Sequence, residues 1–316
     1  MAENDVIAGN DGWLFLAGGA NNPLRFYTDP NFFGEAERQG WLELLANRYD
    51  QFASRRIAYA HIAPPEKLTI YPEFFPDSLS SYEACPSIAL PGAIAANSRR
   101  KDLQKVYVDL LPNLAIAKDD GQLLYWKTDT HWTFFGAWQA YLSLCARLCL
   151  EPDRQIAFRG FNYGEMVLDL GGKFHPPITE VYKTQHIEKK ARRINANSLV
   201  SYKEQRQLES VAGLHGGSSV VFFNDSPEAD PRRMIIFGDS YAEYRPILLT
   251  GLFAETVREL HFVWSARIDW NYIDRVKPDI VVTELAERFM NYVPTDDLDL
   301  DVFPQERIAA YEAANP

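Results

Sequence analysis

Five short apolar runs constrain this chain more than anything else in it. They are "RRIAYAHIAPP", "QKVYVDLLP", "RRMIIFGDS", "ELHFVWS" and "PDIVVTEL". Each is rich in Val and Ile or aromatic residues and apolar on both faces, as the central strands of a parallel sheet must be. Strands are expected at about Arg56–Ala63, Lys105–Leu110 and Met234–Phe237, and in the last two runs. Pro64, Pro65 and Pro112 read as stops. Helical periodicity fills the gaps. "GEAERQGWLELLANRYDQFASR" sets Trp41, Leu44, Leu45, Tyr49 and Phe52 at helical spacing. "TFFGAWQAYLSLCARLCL" sets Phe134, Trp138, Tyr141, Cys145 and Leu148 on one stripe, with Thr133 as N-cap. "AEYRPILLTGLFAETVREL" reads as a third helix, with Pro246 in or near its first turn. Alternating strands and helices predict an α/β layered fold with ligands at the carboxyl ends of a mostly parallel sheet.

The 316 residues fit one such domain over 1–316. Residues 155–231 break the pattern, being rich in Gly, Asn and Ser, and read as a loop- or β-rich insertion. Their basic run Lys189–Arg193 reads as a solvated face. Acidic residues outnumber basic ones by 43 to 32, a net charge of −11, which disfavours nucleic-acid partners. No stretch reaches the ~20 apolar residues of a membrane helix. The start, "MAENDVIAGNDGWLFLAGG", lacks a basic segment followed by an apolar one, so no signal peptide is expected in it. That points to the cytoplasm, or to the periplasm if a leader had been removed. Cys85, Cys145 and Cys149 form no CxxC pattern and predict neither disulfide nor zinc site.

The chemistry is sought where strand gives way to turn. Ser240 in "FGDSY" follows an apolar strand, with Gly238 available for a tight turn. A serine there points out at the carboxyl edge of the sheet, beside backbone N–H groups able to stabilise an oxyanion. The alternative is that Ser240 or Asp239 only caps a helix. A nucleophilic serine needs a base. His61, His175, His186, His215 and His261 fall in strands or irregular segments. His131 differs because of "TDTHWT": in extended backbone Asp129 and His131 leave the same face. The carboxylate can then hold Nδ1 while Nε2 stays free, the orienter and base of a serine triad. Metal binding by this pair is the weaker alternative, since no second His or Glu lies at ligand spacing. No cofactor is expected.

"TDTHWTFFGAWQAY" together with "FGDSY" resembles the SGNH-hydrolase-like polysaccharide O-acetyltransferases, the group containing AlgX and AlgJ. The colinear segments "VIAGNDGWLFL", "IAPPEKLTIYPEFFP", "VYVDLLPNL", "LDLGGKF" and "VKPDIVVTELAERFM" extend the resemblance from about Val6 to Tyr292. It implies Ser240 as nucleophile, His131 as general base and Asp129 as its orienter. The implied reaction is acetyl transfer from an unidentified donor to the hydroxyls of a polysaccharide acceptor through an acyl-enzyme. The oxyanion would be held by the Ser240 N–H and one further donor. Tyr241, Trp132, Glu287 and Arg288 are candidate oxyanion or substrate contacts. Trp132 reads equally as packed beneath the loop, and Glu287 and Arg288 equally as a salt bridge. An acetylesterase with the same triad and a non-catalytic glycan-binding or assembly subunit are the alternatives. Members of the group are commonly exported, and larger ones carry a carbohydrate-binding module. Sugar recognition here is expected from the insertion, the cleft rim or another polysaccharide-biosynthesis protein.

Overall fold

The computed structural model describes residues 5–19, 21–79, 82–244 and 248–315. Ten strands lie among the described residues: β1 (Val6–Ala8), β2 (Leu14–Leu16), β3 (Ala58–Ile62), β4 (Phe161–Val167), β5 (Thr179–Gln185), β6 (Arg192–Ala196), β7 (Ser219–Phe223), β8 (Asp230–Gly238), β9 (Val257–Trp264) and β10 (Ile280–Glu284). Six of them form one sheet in the order β3-β10-β8-β9-β7-β6. The first four are mutually parallel, and β7 and β6 add an antiparallel edge. The fold is thus the mixed α/β layer expected, with a mostly parallel sheet flanked by helices.

The sheet centre shows why the runs are apolar throughout. Met234 to Phe237 and Ile280 to Val282 are all without solvent exposure, so both faces are covered. The helices Glu35–Ser54 and Phe134–Leu148 pack against β3, and Leu249–Thr256 packs on Phe134–Leu148 and β9. In Phe134–Leu148 the stripe Phe134, Trp138, Tyr141, Cys145 and Leu148 is buried. Thr133 caps this helix, its hydroxyl accepting the Phe135 N–H, a contact worth about 1 kcal/mol.

Two expectations fail locally. Lys105–Leu110 is not a strand. Leu103–Val106 makes a helical turn, and only Tyr107 bridges β3, with the Val108 N–H donating to His61. Pro112, read as a stop, lies in the first turn of the helix Leu111–Asp119, where its missing N–H is harmless. The helix expected after Tyr241 starts only at Leu249 and ends at Thr256, and Val257 onward is β9. Ala242 and Glu243 instead close a single turn on the Asp239 carbonyl. Pro246 lies outside the described residues.

Residues 155–231 contribute an antiparallel hairpin, β4–β5, and then β6, the helix Ser198–Arg206 and β7. The basic run there is mostly solvated, and Arg193 pairs with Glu204 at the surface. The three cysteines are free thiols. Among the described residues no helix is long and apolar enough to cross a membrane.

Candidate active site

Three strand ends meet at one edge of the sheet. β3 runs out into Pro64–Lys67, β8 into Asp239–Ser240, and β10 into Leu285–Arg288. The turn after β8 needs glycine at its head. A Cβ on Gly238 would lie 2.8 Å from Glu284 Oε2 and 2.9 Å from Ala242 Cβ. Asp239 then locks the turn: its carboxylate accepts the N–H groups of Tyr241 (2.9 Å) and Ala286 (2.8 Å). Its own N–H goes to Glu284 at 2.9 Å. Burial, then the charge of Asp239, pushes the Glu284 carboxyl well above its ordinary range.

The segment 124–133 crosses above this edge. It is drawn close by Gly136, whose missing Cβ leaves room for the Leu124 carbonyl and Trp132 Cβ, 2.5 and 2.6 Å from where that Cβ would sit. Here Asp129, His131 and Ser240 form a continuous line. Asp129 Oδ1 lies 2.6 Å from His131 Nδ1, and His131 Nε2 lies 2.8 Å from Ser240 Oγ. The same Oδ1 accepts the His131 N–H at 2.8 Å, which fixes the carboxylate. None of the other five histidines bonds Ser240. His61 is fully buried against Thr283, and burial drops its pKa to about 3. His261 is tied to Glu259 and Tyr272, and His215 stacks on Trp264. His175 and His186 are exposed.

The electrostatics follow the geometry. Burial works to lower the His131 pKa, but the hydrogen bond and charge of Asp129, then the charge of Asp169, outweigh it and raise the pKa above 6.5. Burial works to raise Asp129, but the bond and charge of His131 and two backbone N–H groups bring it down to about 2. Among the described residues, Asp129, His131 and Asp169 also present ligand atoms within 4.8 Å of one another. Those atoms are already spent within the protein. His131 Nδ1 faces Asp129, and Asp169 accepts the N–H (2.8 Å) and hydroxyl of Thr130.

The remaining candidates lie underneath this line. Tyr241 has no exposed surface. Its hydroxyl donates to the Thr130 carbonyl (2.6 Å) and accepts from Arg288 (2.7 Å). Arg288 also binds Glu66 at 2.7 Å and reaches the Thr130 carbonyl at 3.4 Å, so it ties the serine segment to the histidine segment and to the end of β3. Glu287 is fully buried away from the cleft and takes N–H and hydroxyl donors from Glu66, Thr69 and Ser87. Trp132 borders the pocket over Ser240 but is 1% exposed, and its indole N–H donates to the Tyr241 carbonyl. Tyr241, Glu287 and Arg288 thus brace the segments that carry Ser240 and His131.

A pocket of about 150 Å³ opens over Ser240 and His131, walled by Trp126, Phe134, Leu168 and Leu248 and, from the hairpin, by Met166 and Tyr182. Tyr182 packs on Trp126 at 4.5 Å. Residues 155–231 therefore supply a wall of the pocket, as well as Asp169 and Glu180. The sequence reading gave no role to Lys67, Asp169 or Glu180. "PPEKL" and "LDLGG" were visible only as points of resemblance.

Residues 6–162 match the family model described as the SGNH hydrolase-like domain of acetyltransferase AlgX. Over those residues, just under half of the chain, the sequence is similar to the AlgX family of SGNH hydrolase-like acetyltransferases. The matched segment includes Asp129–Trp132 and ends well before Ser240. Three solved structures share the fold. The O-acetyltransferase domain of Pseudomonas putida AlgJ aligns with a TM-score of 0.57 at 18% identity, covering 98% of this chain and 99% of that one. Bacillus cereus PatB1 aligns at 0.59 and 13%, covering 92% and 99%. Pseudomonas aeruginosa AlgX aligns at 0.52 and 17%, covering 91% and 63%. No curated protein matches the chain in sequence.

Proposed function

We propose that this protein is a serine O-acetyltransferase that moves an acetyl group from an ester donor to a hydroxyl of a polysaccharide. The observation that carries the reading is the unbroken line from Asp129 through His131 to Ser240, at 2.6 and 2.8 Å. In this mechanism His131 Nε2 takes the Ser240 proton as Oγ attacks the donor carbonyl. Asp129 holds the Nδ1–H tautomer and stabilises the imidazolium. The tetrahedral oxyanion is met by the Ser240 N–H, which among the described residues has no acceptor. The imidazolium protonates the leaving alcohol, and an acetyl-serine remains. A sugar hydroxyl then gives its proton to His131, attacks the acetyl carbonyl and frees Ser240. The acetyltransferase family of residues 6–162 supports the acetyl group, and the polysaccharide acceptor follows from that kinship.

The test is incubation with an activated acetyl ester, with and without oligosaccharides. Acetylated oligosaccharide, formed at the expense of free acetate and absent with Ser240→Ala, is expected. Acetate as the sole product with every acceptor tried would make the protein an esterase.

A further inference from the structure

Lys67 of "PPEKLTIYP" is 3% exposed, and burial lowers the pKa of its ammonium to about 7 against the charges of Asp169, Asp129 and Glu180, which raise it. Among the described residues it forms no ion pair. Nζ donates instead to three backbone carbonyls of one loop: Trp126 (3.0 Å), Lys127 (2.8 Å) and Asp129 (2.7 Å). All three of its protons are thereby spent. The amide side of the same loop is held by an anion. Glu180 on β5 accepts the N–H groups of Lys127 (3.1 Å) and Thr128 (2.8 Å) and the Thr128 hydroxyl (2.8 Å). Between the bridge residues Tyr125 and Trp132 the loop has no regular structure of its own. A six-residue irregular segment does not by itself hold a carboxylate and an imidazole in line. Here its carbonyls converge on a cation and its amides on an anion.

We propose that Lys67 and Glu180 are positioning residues which stretch the 126–131 loop between opposite charges and so set the Asp129–His131–Ser240 line. This rests on the reading of Ser240 and His131 given above. Neither side chain touches the reacting atoms. Both act through the backbone of the residues that do. Glu180 is two positions from Tyr182, a wall of the pocket, so the hairpin that shapes the pocket also holds the base. Displacing a reacting group by about 1 Å costs on the order of 100-fold in rate, so loss of either anchor falls on kcat and leaves KM alone.

The experiment compares wild type, Lys67→Met and Glu180→Gln, with Arg48→Met as a control. Arg48 is buried and bonded to Asp296 and the Ala266 carbonyl, remote from the loop. Each folded variant is assayed for acetyl-ester turnover and for labelling of Ser240 by a sulfonyl fluoride. The far-downfield proton resonance of His131 Nδ1–H is recorded as well. Expected are a kcat loss of about 100-fold for Lys67→Met and about 10-fold for Glu180→Gln. KM should stay within about twofold, labelling should slow in parallel, and the downfield resonance should be lost or shifted. Arg48→Met should lose stability only. Lys67→Met and Glu180→Gln proteins that are folded, within about twofold of wild-type kcat and unchanged in that resonance would overturn the proposal. So would a loss tracking only the unfolded fraction, as in Arg48→Met. If Lys67→Met does not fold, Glu180→Gln alone decides by the same criteria. If wild type neither turns over the ester nor takes the label, the acetyltransferase reading fails, and the resonance still decides whether the anchors place His131.

Discussion

Replacing Asp129 with Asn tests the base most sharply, because it removes a charge and leaves the shape. The carboxylate sits 2.6 Å from His131 Nδ1 and is mostly buried. When His131 takes the serine proton, an imidazolium forms against that carboxylate. With ~4 Å between charge centres and an effective dielectric of ~20, the pair is worth about 4 kcal/mol. That corresponds to roughly 10³-fold in rate. Loss of the correct tautomer adds to this, and in serine triads the same change costs about 10⁴-fold. Asp169 Oδ2, 3.8 Å from Nδ1, is the one other carboxylate among the described ion pairs of His131 and is engaged by Thr130. Asp129→Asn should therefore reduce kcat/KM for an activated acetyl ester by about 10³- to 10⁴-fold. The base titrates above its ordinary 6.5 in wild type. Since the reaction needs neutral His131, wild-type kcat/KM should climb with pH through that raised value, and in the variant the inflection should move down. The assay is initial-rate hydrolysis over about pH 5 to 8. A variant within about threefold of wild type, with an unmoved pH profile, would refute the reasoning.

Other expectations concern stability and the turn. Against the effect of burial, the hydrogen bond and charge of His131 hold the Asp129 carboxyl at about 2, below its ordinary 3.8. Its contribution is present above 3.8 and lost as pH falls through 2, about 2 kcal/mol in all. The contribution of His131 has the opposite sign, being present below 6.5 and lost as pH rises through its raised folded pKa. Denaturant midpoints of wild type and Asp129→Asn should therefore converge in acid. Gly238→Ala should cost about 1–3 kcal/mol in a thermal melt, because its Cβ meets Glu284 and Ala242 below 3 Å. The Glu284 carboxyl, pushed well above its ordinary range, predicts that Glu284→Gln melts near wild type. Glu284→Ala, which leaves the Asp239 N–H unpaired, should lose about 1–3 kcal/mol.

Much of this was legible from the chain alone, for identifiable reasons. The central stretches of β3, β8, β9 and β10 are apolar on both faces, which few other structures tolerate, and they appeared where the runs of Val and Ile predicted them, although β8 starts at Asp230, ahead of the expected Met234. The stripe from Phe134 to Leu148 likewise declares its buried face. Asp129 and His131 were found because their pairing is local, two positions apart. The region around Tyr107 misled because "VYV" has strand composition while the sheet edge takes up only one bridge there. The helix after Ser240 was over-extended because its apolar residues run without interruption into β9. Lys67, Asp169, Glu180 and Glu66 escaped for another reason. Their partners are mostly backbone groups of a segment about 40 to 60 positions away, or the guanidinium of Arg288. A backbone group leaves no mark on composition or periodicity. Trp132, Glu287 and Arg288 each kept two readings because residue type reveals chemistry but not which side of the sheet edge a side chain takes.

The central claim is that the 240 hydroxyl becomes covalently acylated. Rapid acid quench after mixing with an activated acetyl ester, followed by peptide mass spectrometry, measures this directly. One acetyl group on the peptide bearing "GDSY", absent in Ser240→Ala and removed when an oligosaccharide is added before the quench, is the predicted result. Ester turnover that persists in Ser240→Ala, or an acetyl group trapped at another residue, would contradict it.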